Sequence, residues 1–254
     1  MGTRGAYGFR IDGQDKITYN QYDSYPSGLG VQIIRDIKGL SLTKLKKIAK
    51  GIMLVTENEP PTQAQIEASE AWTNLGVAEQ TVNDWYCLLR EAQGGLLAWI
   101  SAEGSDTPPL RIMFDSSNFL ADSLFCEYAY IINLDDKTFE VYEGFQKTPG
   151  NGRYAQLMTD WQRTKEVKGE FDERYYGVSL IATIPLAQVL KAKSEDDIDA
   201  LLAIMDPPEP EDEDDDVGDI TTDDEVQEYD PDLDEDSDTD VITAMSATNA
   251  ADVD

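Results

Sequence analysis

The sharpest constraint on this 254-residue sequence is how unevenly its charge is spread. From Asp206 to Asp254 there are 22 acidic residues and no lysine or arginine, and the last basic residue is Lys193. The first 205 residues hold 29 acidic and 20 basic side chains, a net charge of −9 within a total of −31. The acidic stretch has one aromatic residue, Tyr229. It cannot bury enough apolar surface to offset the entropy of ordering itself. The expectation is a single globular domain over 1–205 followed by an acidic, disordered tail over 206–254. Pro207-Pro208 marks the junction, because paired prolines stop a helix and begin an extended linker. A domain of this length can bury a sizeable core, and no internal repeat divides it.

Within the domain, Asp12-Gly13 is a hairpin turn signal between the β-prone stretches Ala6–Asp12 and Lys16–Asn20. Leu29–Ile37 has helical spacing. Ser41 is placed to cap a second helix whose apolar stripe is Leu42, Leu45, Ile48, Ala49 and Ile52. Lys44, Lys46, Lys47 and Lys50 lie off that stripe and form a basic face in an acidic protein. Thr62–Trp72 and Ala78–Ala92 read as further helices, whereas Leu96–Ile100 fits either helix or strand. Cys126–Leu134, a turn at Asp135-Asp136-Lys137, and Thr138–Tyr142 form a second hairpin, with Tyr128, Tyr130, Ile132 and Leu134 on one face. Tyr154–Trp161 reads as helix, Tyr176–Ile184 as a strand ended by Pro185, and Leu186–Lys193 and Ser194–Met205 as closing helices. This order gives an α+β domain: an N-terminal β-hairpin, several helices and a central antiparallel sheet.

The composition removes several chemistries. With no histidine there is no Ser-His-Asp or Cys-His relay and no His-ligated metal. Cys87 and Cys126 are too few for a zinc site or a disulfide framework. They lie among apolar neighbours and read as buried, reduced thiols. Asp212–Asp224 resembles a calcium loop, but Val217 stands where that loop needs glycine. No catalytic residue, metal or cofactor is therefore assigned, and the reading leans away from an enzyme. No apolar run is long enough to span a membrane, and MGTRGAYGFR has neither an apolar leader core nor, with Ala6, the myristoylation pattern. The expected location is the cytoplasm. The negative charge argues against direct binding of nucleic acid or membrane and for a basic protein partner.

Two places stand out as sites. The loop from Asn20 to Gly30 collects Asn20, Asp23 and Tyr25 with two flexible glycines, Gly28 and Gly30, just before a helix. Arg4 and Arg10 on the neighbouring hairpin could add positive charge. In the tail, Asp230, Asp232, Asp234, Asp236, Asp238 and Asp240 alternate without a break. In an extended chain they would form one line of charge about 6.8 Å apart, a pitch of the order of a nucleic-acid backbone.

Met1-Gly2-Thr3-Arg4-Gly5, Gly8-Phe9-Arg10, and Tyr19-Asn20 followed by Asp23-Ser24-Tyr25-Pro26 and Gly28-Leu29-Gly30 resemble the opening of a family of phage and fungal proteins with no assigned activity. A second echo is Cys126-Glu127-Tyr128-Ala129-Tyr130 leading to Asn133-Leu134-Asp135 and Val141-Tyr142. The resemblance covers the N-terminal third and, more loosely, the middle hairpin. It implies membership and a phage setting but brings no activity with it. The order of hairpin, helices and strands also resembles N-terminal-nucleophile hydrolases, although removal of Met1 would leave Gly2, which has no nucleophilic side chain. Three functions follow as expectations. The first is an acidic interaction protein that inhibits or redirects a basic host protein. The others are a small-ligand binder or hydrolase-like enzyme at the hairpin loop, and a component of virion assembly.

Overall fold

A computed structural model describes residues 2–77, 81–100, 107–159, 163 and 175–207. The calls on the acidic tail from 208 onward lie outside these residues. Strands β1 (Gly5–Ile11) and β2 (Gln14–Asn20) form the expected N-terminal hairpin. Asp12 and Gly13 both have positive φ, 52° and 76°, as the tight I′ turn requires. A five-residue π-helical turn, Pro26–Gly30, leads into α1 (Val31–Ile37), then α2 (Leu42–Gly51) and β3 (Met53–Val55). Next come α3 (Gln63–Ser69), α4 (Trp85–Leu88), a 3-10 turn at Arg90–Ala92, α5 (Leu97–Ile100) and β4 (Ile112–Phe114). A 3-10 turn at Ser117–Ala121 precedes the second hairpin, β5 (Tyr128–Asn133) and β6 (Thr138–Glu143). Strand β7 (Ser179–Pro185) and helices α6 (Leu186–Lys191) and α7 (Glu195–Met205) complete the described chain.

The main sheet runs β2-β1-β5-β6-β7. Three of its pairings are antiparallel, and β1 lies parallel to β5, with Gly5 opposite Tyr128 and Phe9 opposite Ile132. The architecture is thus α+β. Because β1 is central, both of its faces are covered. Tyr7, Phe9 and Ile11 point to one face together with Tyr130, Ile132, Leu134, Phe139 and Val141. There they meet Ile33, Ile34 and Ile37 of α1, Leu45 and Ile48 of α2, and Ile198 and Leu201 of α7. Each such side chain contributes roughly 1.5–3 kcal/mol through removal of apolar surface from water. Ala6, Ala129, Ile131 and Tyr142 point to the other face, against Leu120, Cys126, Tyr154 and Val178. Gly8 belongs to this second face, and a Cβ there would collide with the Lys16 carbonyl oxygen across the hairpin.

The cap expected at Ser41 is present, and two capping boxes that were not expected accompany it. Ser41 Oγ accepts from the Lys44 N–H (3.2 Å), and Thr62 with Gln65 and Ser194 with Asp197 form capping boxes. Lys16 Nζ, almost fully buried, donates to the Ala49 and Ile52 carbonyls at 2.9 and 2.5 Å and so closes the C-terminal end of α2.

Two helices expected from spacing differ. Ala78–Ala92 is not one helix: residues 78–80 lie outside those described, and the helix is confined to α4. Asp84 accepts from the Tyr86 N–H (2.8 Å) and starts the helix there, and Leu89 leaves helical geometry at φ −111° and ψ 16°. Tyr154–Trp161 does not begin as a helix; Tyr154 sits in a turn, buried with its ring 4.9 Å from that of Tyr142. The strands β3 and β4, paired with each other in parallel, were not anticipated.

Candidate functional site

Strand β2 ends at Asn20, and the loop that follows is held both by its own groups and by Thr3, Gly94 and Tyr130. Asn20 is 2 % exposed. Its Nδ2 donates to Ser24 Oγ at 2.8 Å and to the Tyr22 carbonyl, while its Oδ1 accepts from the Gly94 N–H at 2.9 Å. The buried Tyr130 hydroxyl donates to the Ser24 carbonyl (2.8 Å), and the Ser24 N–H donates to the Thr3 carbonyl (3.1 Å). Asp23 takes a left-handed backbone conformation (φ 52°), and its carbonyl accepts from the Leu29 N–H (2.8 Å). A Cβ on Gly28 would collide with that same carbonyl, so glycine is required where the loop folds back on itself.

The anchoring through Gly94 brings in a segment far away in sequence. Asp36 on α1 accepts from the Leu96 N–H (2.6 Å) and from Gln32 (2.7 Å), and Tyr7 donates to the Ala92 carbonyl (3.1 Å). Burial raises the Asp36 carboxyl above the usual range, and these N–H donors offset part of the rise. The loop and the segment 90–96 together border a polar cavity of about 630 Å³. Asp23, Arg35, Arg90 and Glu91 supply its charged groups, and Asn20, Gln32, Asn74 and Gln93 its amides.

Beside it, along the outer edge of β2, lies an apolar cavity of about 410 Å³. Tyr19, Trp85, Tyr86, Trp99, Phe114 and Phe119 give it aromatic walls, and Thr18 and Ser116 add hydroxyls. Tyr19 and Phe119 meet edge to face at 5.1 Å, and the Trp99 N–H donates to the Ile112 carbonyl (2.9 Å). Gln93 borders both cavities. Its Oε1 accepts from the Gln21 N–H (3.1 Å) and from Arg90 Nη1 (3.3 Å). The Arg90 guanidinium lies over the Tyr22 ring at 5.5 Å and over the Tyr86 ring at 5.0 Å.

The residues singled out in the sequence separate in space. Asn20 and Asp23 border the polar cavity; Tyr25, Arg4 and Arg10 are not among its lining residues. Arg10 pairs with Asp15 (2.8 Å) across the hairpin, and Arg4 lies over the Phe125 ring at 4.5 Å. The cations of the cavity are Arg35, which pairs with Glu195 (2.7 Å), and Arg90. Arg90 and the aromatic walls were not anticipated, because Ala78–Ala92 read as an ordinary helix; the Gly94-Gly95 pair was the nearest signal.

Elsewhere, Glu140 is buried and held by Arg153 at 2.6 and 2.8 Å, by the Tyr142 hydroxyl at 2.9 Å and by Asn133 at 2.7 Å. Both cysteines are buried and outside any disulfide, as expected, and burial pushes both thiols up, away from the nucleophilic thiolate. No helix among the described residues is long and apolar enough to cross a membrane. No protein-family model, curated protein or solved structure matches this chain.

Proposed function

We propose that the chain is a non-enzymatic interaction protein, phage-encoded, in which the α+β domain supplies recognition and the acidic tail supplies electrostatic reach toward a basic host protein. The observation that carries this reading is the segregation of charge: 22 acidic residues and no basic one after Met205. Such a segment steers association over roughly a Debye length, about 8–10 Å at physiological salt. The alternating aspartates Asp230 to Asp240 suit a basic groove that otherwise takes DNA or RNA. The partner would then be a nucleic-acid-handling or defence factor, inhibited or redirected by occupation of that groove. The resemblance of the N-terminal third to phage and fungal proteins supports the setting, and the same setting admits a role in virion assembly.

The test compares the whole chain with a variant carrying asparagine at those six aspartates. One basic partner, captured at low salt, released at high salt, displaced by duplex DNA and lost with the variant, is the expected result. Capture that ignores salt and the six substitutions would overturn the reading.

A second reading, a small-ligand site, is favoured by the polar cavity that Asn20 and Asp23 border. Asn20→Ala with Asp23→Ala separates the two ideas: a folded double variant with full biological activity removes the ligand site.

A further inference from the structure

We infer that the paired cavities at the edge of β2 form one binding site for a planar aromatic monoanion, its ring in the apolar cavity and its acidic group on Arg90. The inference is independent of the tail. It rests on, and extends, the reading of the polar cavity as a ligand site, and it names the ligand class.

The apolar half has the size and lining of a small-molecule pocket, where cavities of about 300 Å³ or more are typical. Its walls are mostly flat rings: Tyr19, Trp85, Tyr86, Phe114 and Phe119. Rings pack best edge to face or offset against another ring, so the lining selects an aromatic body over a branched aliphatic one.

The charged half argues for the acid. Arg10, Arg35 and Arg153 each pair with a carboxylate, whereas Arg90, like Arg4 and Arg111, forms no ion pair among the described residues. Arg90 is held instead over two phenol rings and by the amide oxygen of Gln93, contacts that fix the guanidinium while leaving its charge unneutralised. Tyr86 belongs to the apolar cavity and Tyr22 to the polar one, so the guanidinium stands at the boundary between them. A planar anion lying in the aromatic cavity would present its head group at this point, where a charge-assisted bond to a positioned guanidinium is strong. Asp23 and Glu91 border the same polar cavity, and Glu91 already accepts from Asn74 (2.6 Å). Their charge repels a dianion, which favours a head group with a single negative charge over a phosphate monoester.

The test uses two fluorescent probes of similar shape on the whole protein: anilinonaphthalene sulfonate, a monoanion, and phenylnaphthylamine, which is neutral. Both should bind saturably at one site per chain, the sulfonate more tightly. Arg90→Gln should weaken the sulfonate about tenfold and leave the neutral probe within about twofold. Ser116→Trp, which fills the apolar cavity, should abolish both, with far-ultraviolet circular dichroism confirming a folded chain. If neither probe binds saturably, the apolar half is not a site and the inference falls, while the polar cavity still faces its own Asn20 and Asp23 test. If both bind but Arg90→Gln changes neither or both equally, the anion assignment falls and the polar-cavity reading loses its cation.

Discussion

On one face of the main sheet Tyr7, Phe9, Tyr130, Ile132 and Phe139 are wholly buried against α1, α2 and α7. On the other face the same strands present Gly8, Ala6, Ala129, Asn133 and Glu140, and a smaller apolar cluster surrounds an ion pair. The first face is stabilised by the apolar area it buries and by close packing. The second depends on complete satisfaction of a few polar atoms. Glu140 gains little from burial in itself, since desolvation offsets most of its attraction to Arg153, yet losing one partner would strand a charge. Two layers built on the same five strands therefore fail in different ways when altered.

The comparison breaks most visibly at Phe9. Phe9→Ala should cost about 3–5 kcal/mol in denaturant unfolding, because a rigid layer of rings leaves a cavity that cannot collapse. Arg153→Ala should cost about 2–3 kcal/mol, at the lower end for a broken buried pair because the arginine side chain is 26 % exposed. The sharper experiment replaces both partners, Glu140→Met with Arg153→Met. Recovery of most of that loss would show that the polar face is stable by satisfaction and not by the pair's own energy, and no recovery would show the opposite. Asn133→Ala should cost about 1–2 kcal/mol, since Asn133 both donates to Glu140 and accepts from the Asp135 and Asp136 N–H groups.

Acidity separates two carboxylates in the same spirit. Burial on the helix side raises Asp36, so its protonated form is favoured in the folded state. Its contribution is complete below the usual carboxylate range and is lost as pH rises through the raised value. Asp135 is lowered by the Gly13 and Asp12 N–H groups; its contribution is present at neutral pH and is lost as pH falls through the lowered value. Asp36→Asn and Asp135→Asn should therefore flatten opposite limbs of the acid stability profile followed by thermal unfolding.

Legibility followed locality. Asp12-Gly13 and Ser41 act within a few residues of themselves, and the structure uses each as the sequence indicates; Thr62 and Ser194 stand at the helix starts read from the sequence. The hairpin at Asp135-Asp136-Lys137 was legible for the same reason, with Lys137 at φ 60° and Asn133 closing the turn. The parallel pairing of β1 with β5 was not, because nothing in either strand names its partner. Residues 84–92 misled because Trp85, Leu88, Leu89 and Ala92 have helical spacing even though only Trp85–Leu88 is helical; burial around Trp99 and tethering at Gly94 decide the rest. The site was half legible. Asn20 and Asp23 were found from loop chemistry, but Arg90 reaches them only through tertiary folding, and Arg10 was claimed by Asp15 on its own hairpin.

The parallel pairing sets a clock on synthesis. Arg4 is bonded to Glu127, 123 residues further along the chain. At ribosomal rates of about 5–20 residues per second, the N-terminal hairpin waits roughly 6–25 s before the strand that covers its inner edge has been made. During that interval β1 presents an unpaired backbone edge to whatever else is nearby, beside the apolar face of Tyr7, Phe9 and Ile11. A nascent chain paused in the middle of this gene would accumulate the species most prone to aggregate, and slower translation would lower the soluble yield without altering a single native contact.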